Sequence, residues 1–304
     1  MFFSFSLSES KKTKNVVPFW LLIFCPTPRC GHLTFDDFWF CYHGPPIAID
    51  PHLMLIICNG AMKSGSSWFC HMLLLIAEPE PIPENFQKET WNAPAITEDG
   101  LIEFLELVDF RNAHYVSKSH WMADQKISGF MVKDLLDRDD IAIFNNYRDL
   151  KDVLVSKYFH DKKLNSIDLD FDAWFKKLGM HFAARIIDYH KGWQKGRRQP
   201  HLFHYEDMLA DPVRTVLQIA EALHIDLAHG EALNIIAEID QARREGQGTF
   251  RKGIAGDWKN HFTPDHVASL YELVEASGLL SFEKDLVPPR PLMTGISTKT
   301  LSQA

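Results

Sequence analysis

The chain has 304 residues, 46% hydrophobic and 24% charged, enough to bury one large core, and it reads as a single α/β domain with trimmings. A formal net charge of −8 argues against general binding to nucleic acid or to an acidic membrane, so an anionic ligand needs a local basic pocket. The five cysteines, Cys25, Cys30, Cys41, Cys58 and Cys70, are odd in number and include no Cys-x-x-Cys pair, which argues against a disulfide framework or a zinc site.

Residues 1–50 carry little periodicity and many aromatics. Within them Val16 to Cys25 is an apolar run behind Lys11, Lys12 and Lys14. It faintly copies a secretory leader, but it is too short to span a bilayer and lacks a clear small-residue cleavage site, so no stable membrane span is expected. The segment is expected to be an N-terminal extension outside the fold, with Met54 and Met62 available as later starts. The folded domain is expected over 51–288 and a disordered tail over 289–304.

Leu53 to Cys58 is short and wholly apolar, as suits a strand buried on both faces, and Asn59-Gly60 then favours a turn. A helix follows, with Ser64 or Ser66 as its cap and Trp68, Phe69, Met72, Leu73 and Ile76 at helical spacing, until Pro79, Pro81 and Pro83 stop it. Strand, tight loop and helix N-terminus aim free backbone N–H groups and the positive end of the helix dipole at one point. Lys63 adds a full charge there, and Ser66 and Ser67 add hydroxyl donors. The loop suits a phosphate-like group. It is not the Gly-x4-Gly-Lys-Ser/Thr loop of nucleotide triphosphatases, because Gly60-x4-Gly65 is followed by Ser66 and the lysine sits at Lys63.

Glu78 to Ala95 reads as a surface loop and a candidate rim for an acceptor pocket. Leu101, Phe104, Leu105 and Val108 share one face of a short helix. Ala113 to Val116 reads as a strand ending in Ser117-Lys118-Ser119-His120-Trp121, in which Lys118 and His120 point the same way. Ile141 to Asn146 is a second buried-strand run, followed by a helix capped by Asp149, so that Arg148 and Ser156 bracket about two helical turns. Phe171 to Gln194 reads as a longer helix with a break at Gly179, His201 to Tyr205 as a strand, and Asp211-Pro212 as the start of a helix running to Leu223. Glu231 to Arg244 is a further amphipathic helix. A loop from Thr249 to Phe262 carries Arg251, Lys252 and Lys259, and Thr263-Pro264 opens a last helix to about Ala276. Strands alternating with helices imply a mainly parallel sheet covered on both faces, with ligands at the carboxyl ends of its strands. Lys63, His120, Arg148 and Tyr205 all fall there.

Lys63 to Trp68, Lys-Ser-Gly-Ser-Ser-Trp, resembles the 5′-phosphosulfate loop of the cytosolic-type sulfotransferases, usually Lys-Ser-Gly-Thr-Thr-Trp. Lys118-Ser119-His120 resembles their Lys-Thr-His catalytic segment, and Arg148 with Ser156 resembles their 3′-phosphate motif. Arg251-Lys252-Gly253 with Gly256 to Phe262 resembles their C-terminal cofactor loop, and Tyr205-Glu206-Asp207 also matches. The resemblance runs from Leu53 to about Phe262 in the family's order. It implies a P-loop-type parallel sheet flanked by helices and a soluble, cytoplasmic enzyme. Such an enzyme moves a sulfuryl group from 3′-phosphoadenosine 5′-phosphosulfate (PAPS) to a hydroxyl or amine of a small acceptor, without a metal. Lys63, Ser64, Gly65, Ser66, Ser67, Trp68, Arg148, Ser156, Tyr205, Arg251, Lys252 and Gly253 would bind the donor, and His120, Lys118 and Lys63 would serve catalysis.

These roles make physical sense. PAPS carries anionic groups at both ends of an adenosine, so its site needs two cationic clusters about an aromatic platform. The planar fork of Arg148 or Arg251 suits the 3′-phosphate. Trp68 is expected either to stack on adenine, as the resemblance implies, or to pack in the core. His120 has an ordinary pKa of about 6.5, which suits a general base. Departures are Ser66 and Ser67 for threonines, Trp121-Met122 for Leu-Pro after His120, and Pro264 and Ala268 in the family's dimer motif, so a monomer or weak dimer is expected. Two other readings stand beside this one: a P-loop kinase or NTPase, against which the displaced lysine argues, and an idle binder of adenosine 3′,5′-bisphosphate (PAP), against which Lys118 and His120 argue.

Overall fold

The computed structural model describes residues 55–88, 93–108, 110, 113–195, 200–244 and 252–278. The N-terminal extension, Leu53, Met54, Arg251 and the tail after 288 lie outside the described residues. In chain order the elements begin with strand β1 (Leu55–Asn59) and helices α1 (Ser66–Ala77) and α2 (Leu101–Leu107). Then come β2 (Tyr115–Ser119), a hairpin of β3 (Lys126–Ile127) and β4 (Phe130–Met131), β5 (Ile141–Tyr147) and α3 (Leu150–Leu164). Helix α4 (Phe171–Trp174) passes through a π-helical turn (Phe175–Gly179) into α5 (Met180–Gln194). The chain continues with β6 (His201–His204), α6 (Tyr205–Ala210), α7 (Pro212–Ala222), α8 (His229–Arg244), a 3-10 turn (Asp257–Asn260) and α9 (Pro264–Ser277).

The central sheet has the order β2-β1-β5-β6 and every neighbouring pair is parallel. Its strands alternate between two cores, as period-two side chains must. Leu55, Ile57, Ile141 and Ile143 face a layer containing Phe104, Trp174, Ile187 and Trp193, while Ile56, Cys58, Val116 and Phe144 face α1, α7 and α8 through Phe69, Met72, Val216 and Ala232. Helices therefore cover both faces, which explains why β1 is apolar from Leu55 to Cys58. The chain leaves β1 for β2 on one side and later returns to β5 on the other, so β1 and β5 flank the point where ligands bind in such sheets.

Three of the expected caps are formed: Asp149 accepts from the Lys151 amide at 2.9 Å, Asp211 from Arg214 at 3.0 Å, and Thr263 from His266 at 3.3 Å. Other expectations need correction. Neither Ser64 nor Ser66 caps α1; Gly65 holds that position with φ 92 and no side-chain bond. The loop after α1 is not wholly superficial, because Ile82 and Phe86 are buried and Phe86 packs edge-on against Phe104 at 5.6 Å. Gly179 does not break its helix, which widens into the π turn there. Tyr205 opens α6 instead of ending β6. The β3–β4 hairpin was not anticipated, although Ser128 and Gly129, both at positive φ, are the two-residue turn its twist demands.

Candidate active site

β1 delivers the chain to a loop folded back on itself before α1. The Ser64 amide and hydroxyl both donate to the Ala61 carbonyl, at 3.2 and 2.6 Å, and Asn146 Nδ2 donates to the Ser64 carbonyl at 2.6 Å. Lys63 and Gly65 are both left-handed, at φ 70 and 92. A side chain at Gly65 would also meet the Tyr205 ring at 2.5 Å, so glycine is required twice over. This folding exposes the N-terminus of α1, with Ser66 and Ser67 in its first turn, to a cavity of about 230 Å³.

Next to the loop, Lys118 near the end of β2 and His120 just past it both line that cavity, as their spacing predicts. Lys118 Nζ donates to Ser67 Oγ at 2.7 Å, and His120 Nδ1 lies 2.5 Å from the Gly60 carbonyl oxygen. A carbonyl only accepts, so Nδ1 carries the proton and Nε2 the lone pair. On the β5 side, Arg148 holds its guanidinium carbon 4.3 Å from the centre of the Tyr205 ring and donates through Nη2 to the Ile254 carbonyl at 3.1 Å. Its Nε is buried without a hydrogen-bond partner. Ser156, Lys252 and Gly253 complete this end.

The loop bearing Lys252 and Gly253 is fixed from α3. The buried Asp152 carboxylate accepts from the Gly256 amide at 2.6 Å and the Trp258 amide at 2.9 Å, and Lys151 Nζ sits 4.5 Å over the Trp258 ring. Lys252 pairs with the buried Asp257 at 2.9 Å.

Crowded, half-buried cations perturb one another. Burial, followed by the charges of Lys157, Arg148 and Lys118, brings Lys63 down to about 8. Burial also lowers Lys118. For His120 burial dominates, the Gly60 carbonyl opposes it, and Lys118, Lys63 and Lys88 add to it, leaving the imidazole at about 4 instead of its ordinary 6.5. The ring is therefore neutral at pH 7.

All of the expected site residues that the structure describes line this one cavity except Ser64, whose hydroxyl is spent inside the loop. Trp68 both lines the cavity and is mostly buried, edge-on to Tyr205 at 5.8 Å. Met62, Lys157 and His160 were missed. The signal for His160 was available, since it lies four residues after Ser156 on the same helix face. Lys157 pairs with Asp161.

A parallel sheet whose first strand feeds a cationic loop and helix N-terminus defines a P-loop-type anion-binding α/β protein. A sulfotransferase domain model matches residues 53–281. The chain belongs to the sulfotransferase family. Cytosolic sulfotransferase 11 of Arabidopsis thaliana is 21% identical over 254 residues, spanning 72% of this chain and 71% of that protein. Human sulfotransferase 2A1 is 30% identical over 141 residues, 38% of this chain and 49% of that protein. Among solved structures, mouse sulfotransferase SULT7A1 complexed with PAP shares the fold with a TM-score of 0.55 at 19% identity, over 76% of this chain and 85% of that one. Among the described residues no helix is long and apolar enough to cross a membrane.

Proposed function

We propose that this sulfotransferase takes its sulfuryl group from PAPS and delivers it to a hydroxyl or amine of a small acceptor, with His120 as general base. The observation that carries the reading is one cavity lined by Lys63, Lys118, Arg148, Lys157 and Lys252, with no acidic residue among its described lining. The residues fit a donor that is anionic at both ends. Arg148 keeps a buried Nε without a partner, burial among like charges depresses Lys63, and burial depresses Lys118, a cost that a bound anion would repay.

Bound there, PAPS supplies an activated sulfuryl group on a good leaving group. Lys63, the hydroxyls of Ser66 and Ser67 and the first-turn amides of α1 would hold the phosphosulfate, while Arg148, Ser156 and Lys252 would hold the 3′-phosphate. Transfer of such a group passes through a loose, in-line transition state, so the protein's part is positioning and charge stabilisation. Lys118, held by Ser67, would neutralise charge as it shifts toward the leaving nucleotide. His120, neutral and with Nδ1 tied to Gly60, would take the acceptor proton on Nε2. A negative sulfuryl group beside it would offset the neighbouring cations and raise its basicity as the proton arrives.

The test has two parts. PAP should raise the melting temperature, and ATP-Mg²⁺ should not; the reverse result would favour a kinase. A ligand at 100 times its dissociation constant adds about 2.7 kcal/mol. His120→Ala should then bind PAP normally while kcat drops by roughly 10²–10⁴. Loss of PAP binding along with turnover would make His120 structural. With the free imidazole at about 4, the acid limb of the pH profile should lie well below pH 6.5.

A further inference from the structure

We propose that Asn59 is the positioning residue for His120, a role that rests on the reading of His120 as the base. Asn59 ends β1, is fully buried, and stands in register with Ser119 of β2. Its Oδ1 accepts from the Trp121 amide and from Ser119 Oγ, each at 2.7 Å. Its Nδ2 shares two protons among three acceptors, the Tyr189 hydroxyl at 2.9 Å, Asn145 Oδ1 at 3.1 Å and the Trp121 carbonyl at 3.3 Å. One side chain thereby grips the residue before His120 and the residue after it.

That grip has a directional consequence. Side chains alternate along extended chain, so holding the Ser119 hydroxyl on Asn59 turns the next side chain the other way, toward the cavity that His120 lines, while the bonds to the Trp121 backbone fix the chain beyond it. The next residue completes the hold, since the Gly60 carbonyl takes the proton of His120 Nδ1 and fixes the tautomer. Gly60 reaches this position only because it lacks a side chain: a Cβ there would fall 1.8 Å from Asn146 Oδ1. The pair Asn59-Gly60 thus sets the backbone on both sides of the histidine and the ring itself.

Support comes from the far side. The Tyr189 hydroxyl of α5 donates to the Asn59 carbonyl at 2.5 Å and accepts from Asn59 Nδ2 at 2.9 Å, and Trp193 Nε1 donates to the Trp121 carbonyl at 3.2 Å. Burial pushes the Tyr189 phenol well above its ordinary value, so it stays a donor at any working pH. Only a carboxamide supplies an acceptor for two donors together with donors of its own at one buried point. An aspartate would lose the donors, and an alanine would leave the Trp121 amide without its partner. Asn59 does not line the cavity, and it touches no residue of the site more directly than the two that flank His120.

The test is a double-mutant cycle on the full chain. Asn59→Ala should lower kcat by roughly 10- to 100-fold while PAP affinity stays within about threefold. Added to His120→Ala, the same change should lower turnover by less than about twofold, because the group it orients is gone. Multiplication of the two effects would overturn the proposal, as would a joint loss of PAP affinity and turnover in Asn59→Ala. Nearly full turnover by His120→Ala alone is a separate result: it would remove the base assignment and this proposal with it. If Asn59→Ala does not fold, Tyr189→Phe removes only the supporting hydroxyl. It should lower kcat by about threefold or more, with the same absence of a further effect in the His120→Ala background. No loss in Tyr189→Phe would then overturn the proposal.

Discussion

The two ends of the cavity are built in opposite ways. The end proposed for the phosphosulfate is mostly one continuous stretch, Gly60 to Trp68, shaped by short-range bonds, two left-handed residues and a single long-range bond from Asn146 to Ser64. The end proposed for the 3′-phosphate is assembled from distant parts: Arg148 ahead of α3, Tyr205 at the start of α6, and the Lys252 loop fastened to Asp152 across 104 residues of sequence. A mostly local device depends on few distant residues, whereas an assembled one depends on many. The difference separates the two ends experimentally.

Arg148→Ala should have the largest effect on this contrast. PAP affinity should fall by about 1.5–3 kcal/mol, the worth of a charge-assisted pair, with little change for a nucleotide lacking the 3′-phosphate. Calorimetry with both ligands reads the result, and equal loss for the two would mean that Arg148 supports the fold and does not read the 3′ group. Asp152→Ala should come next. It touches no ligand, yet it frees the Gly256 and Trp258 amides and should cost about 1–3 kcal/mol, seen as a raised KM for donor with kcat less affected. Unchanged KM would show that the loop holds its position without α3.

The smallest effect sharpens the other end. An anion favours protonated Lys63, so binding near pH 8 should take up a proton, and affinity should fall as pH rises through the free lysine's value of about 8. Between pH 7 and 8.5 the expected loss is roughly fourfold. Titration calorimetry in buffers of different ionisation enthalpy measures the proton directly. Proton release, or none, would mean that Lys63 does not face the anion.

The same contrast explains what could be read from the sequence. The cradle was legible because its chemistry is contiguous, and β1 and β5 because a sheet covered on both faces demands unbroken apolar runs. Lys118 and His120 followed from period two. The clamps were not legible. Asn59 to Trp121 and Asp152 to Gly256 are bonds across 62 and 104 residues, and an Asn or Asp at an element's end reads equally as a turn former or a cap. Ser64 was misjudged for the related reason that its hydroxyl is used inside the turn it was expected to decorate. The strand order was also hidden, since it depends on which side of β1 each crossover returns to.

The π turn between α4 and α5 bears on insertions and deletions. A π turn accommodates one residue more than an α turn, and each residue advances an α-helix by about 100°, so the extra residue sets the phase of everything after it. Tyr189 and Trp193 lie ten and fourteen positions beyond Gly179, and both reach the carboxyl end of β1 and the segment around His120. Deleting a single residue from Phe175–Gly179 would let the helix run straight and swing both side chains a quarter-turn away, with no atom near the cavity altered. Length in this stretch, as much as residue identity, is therefore a constraint on the enzyme.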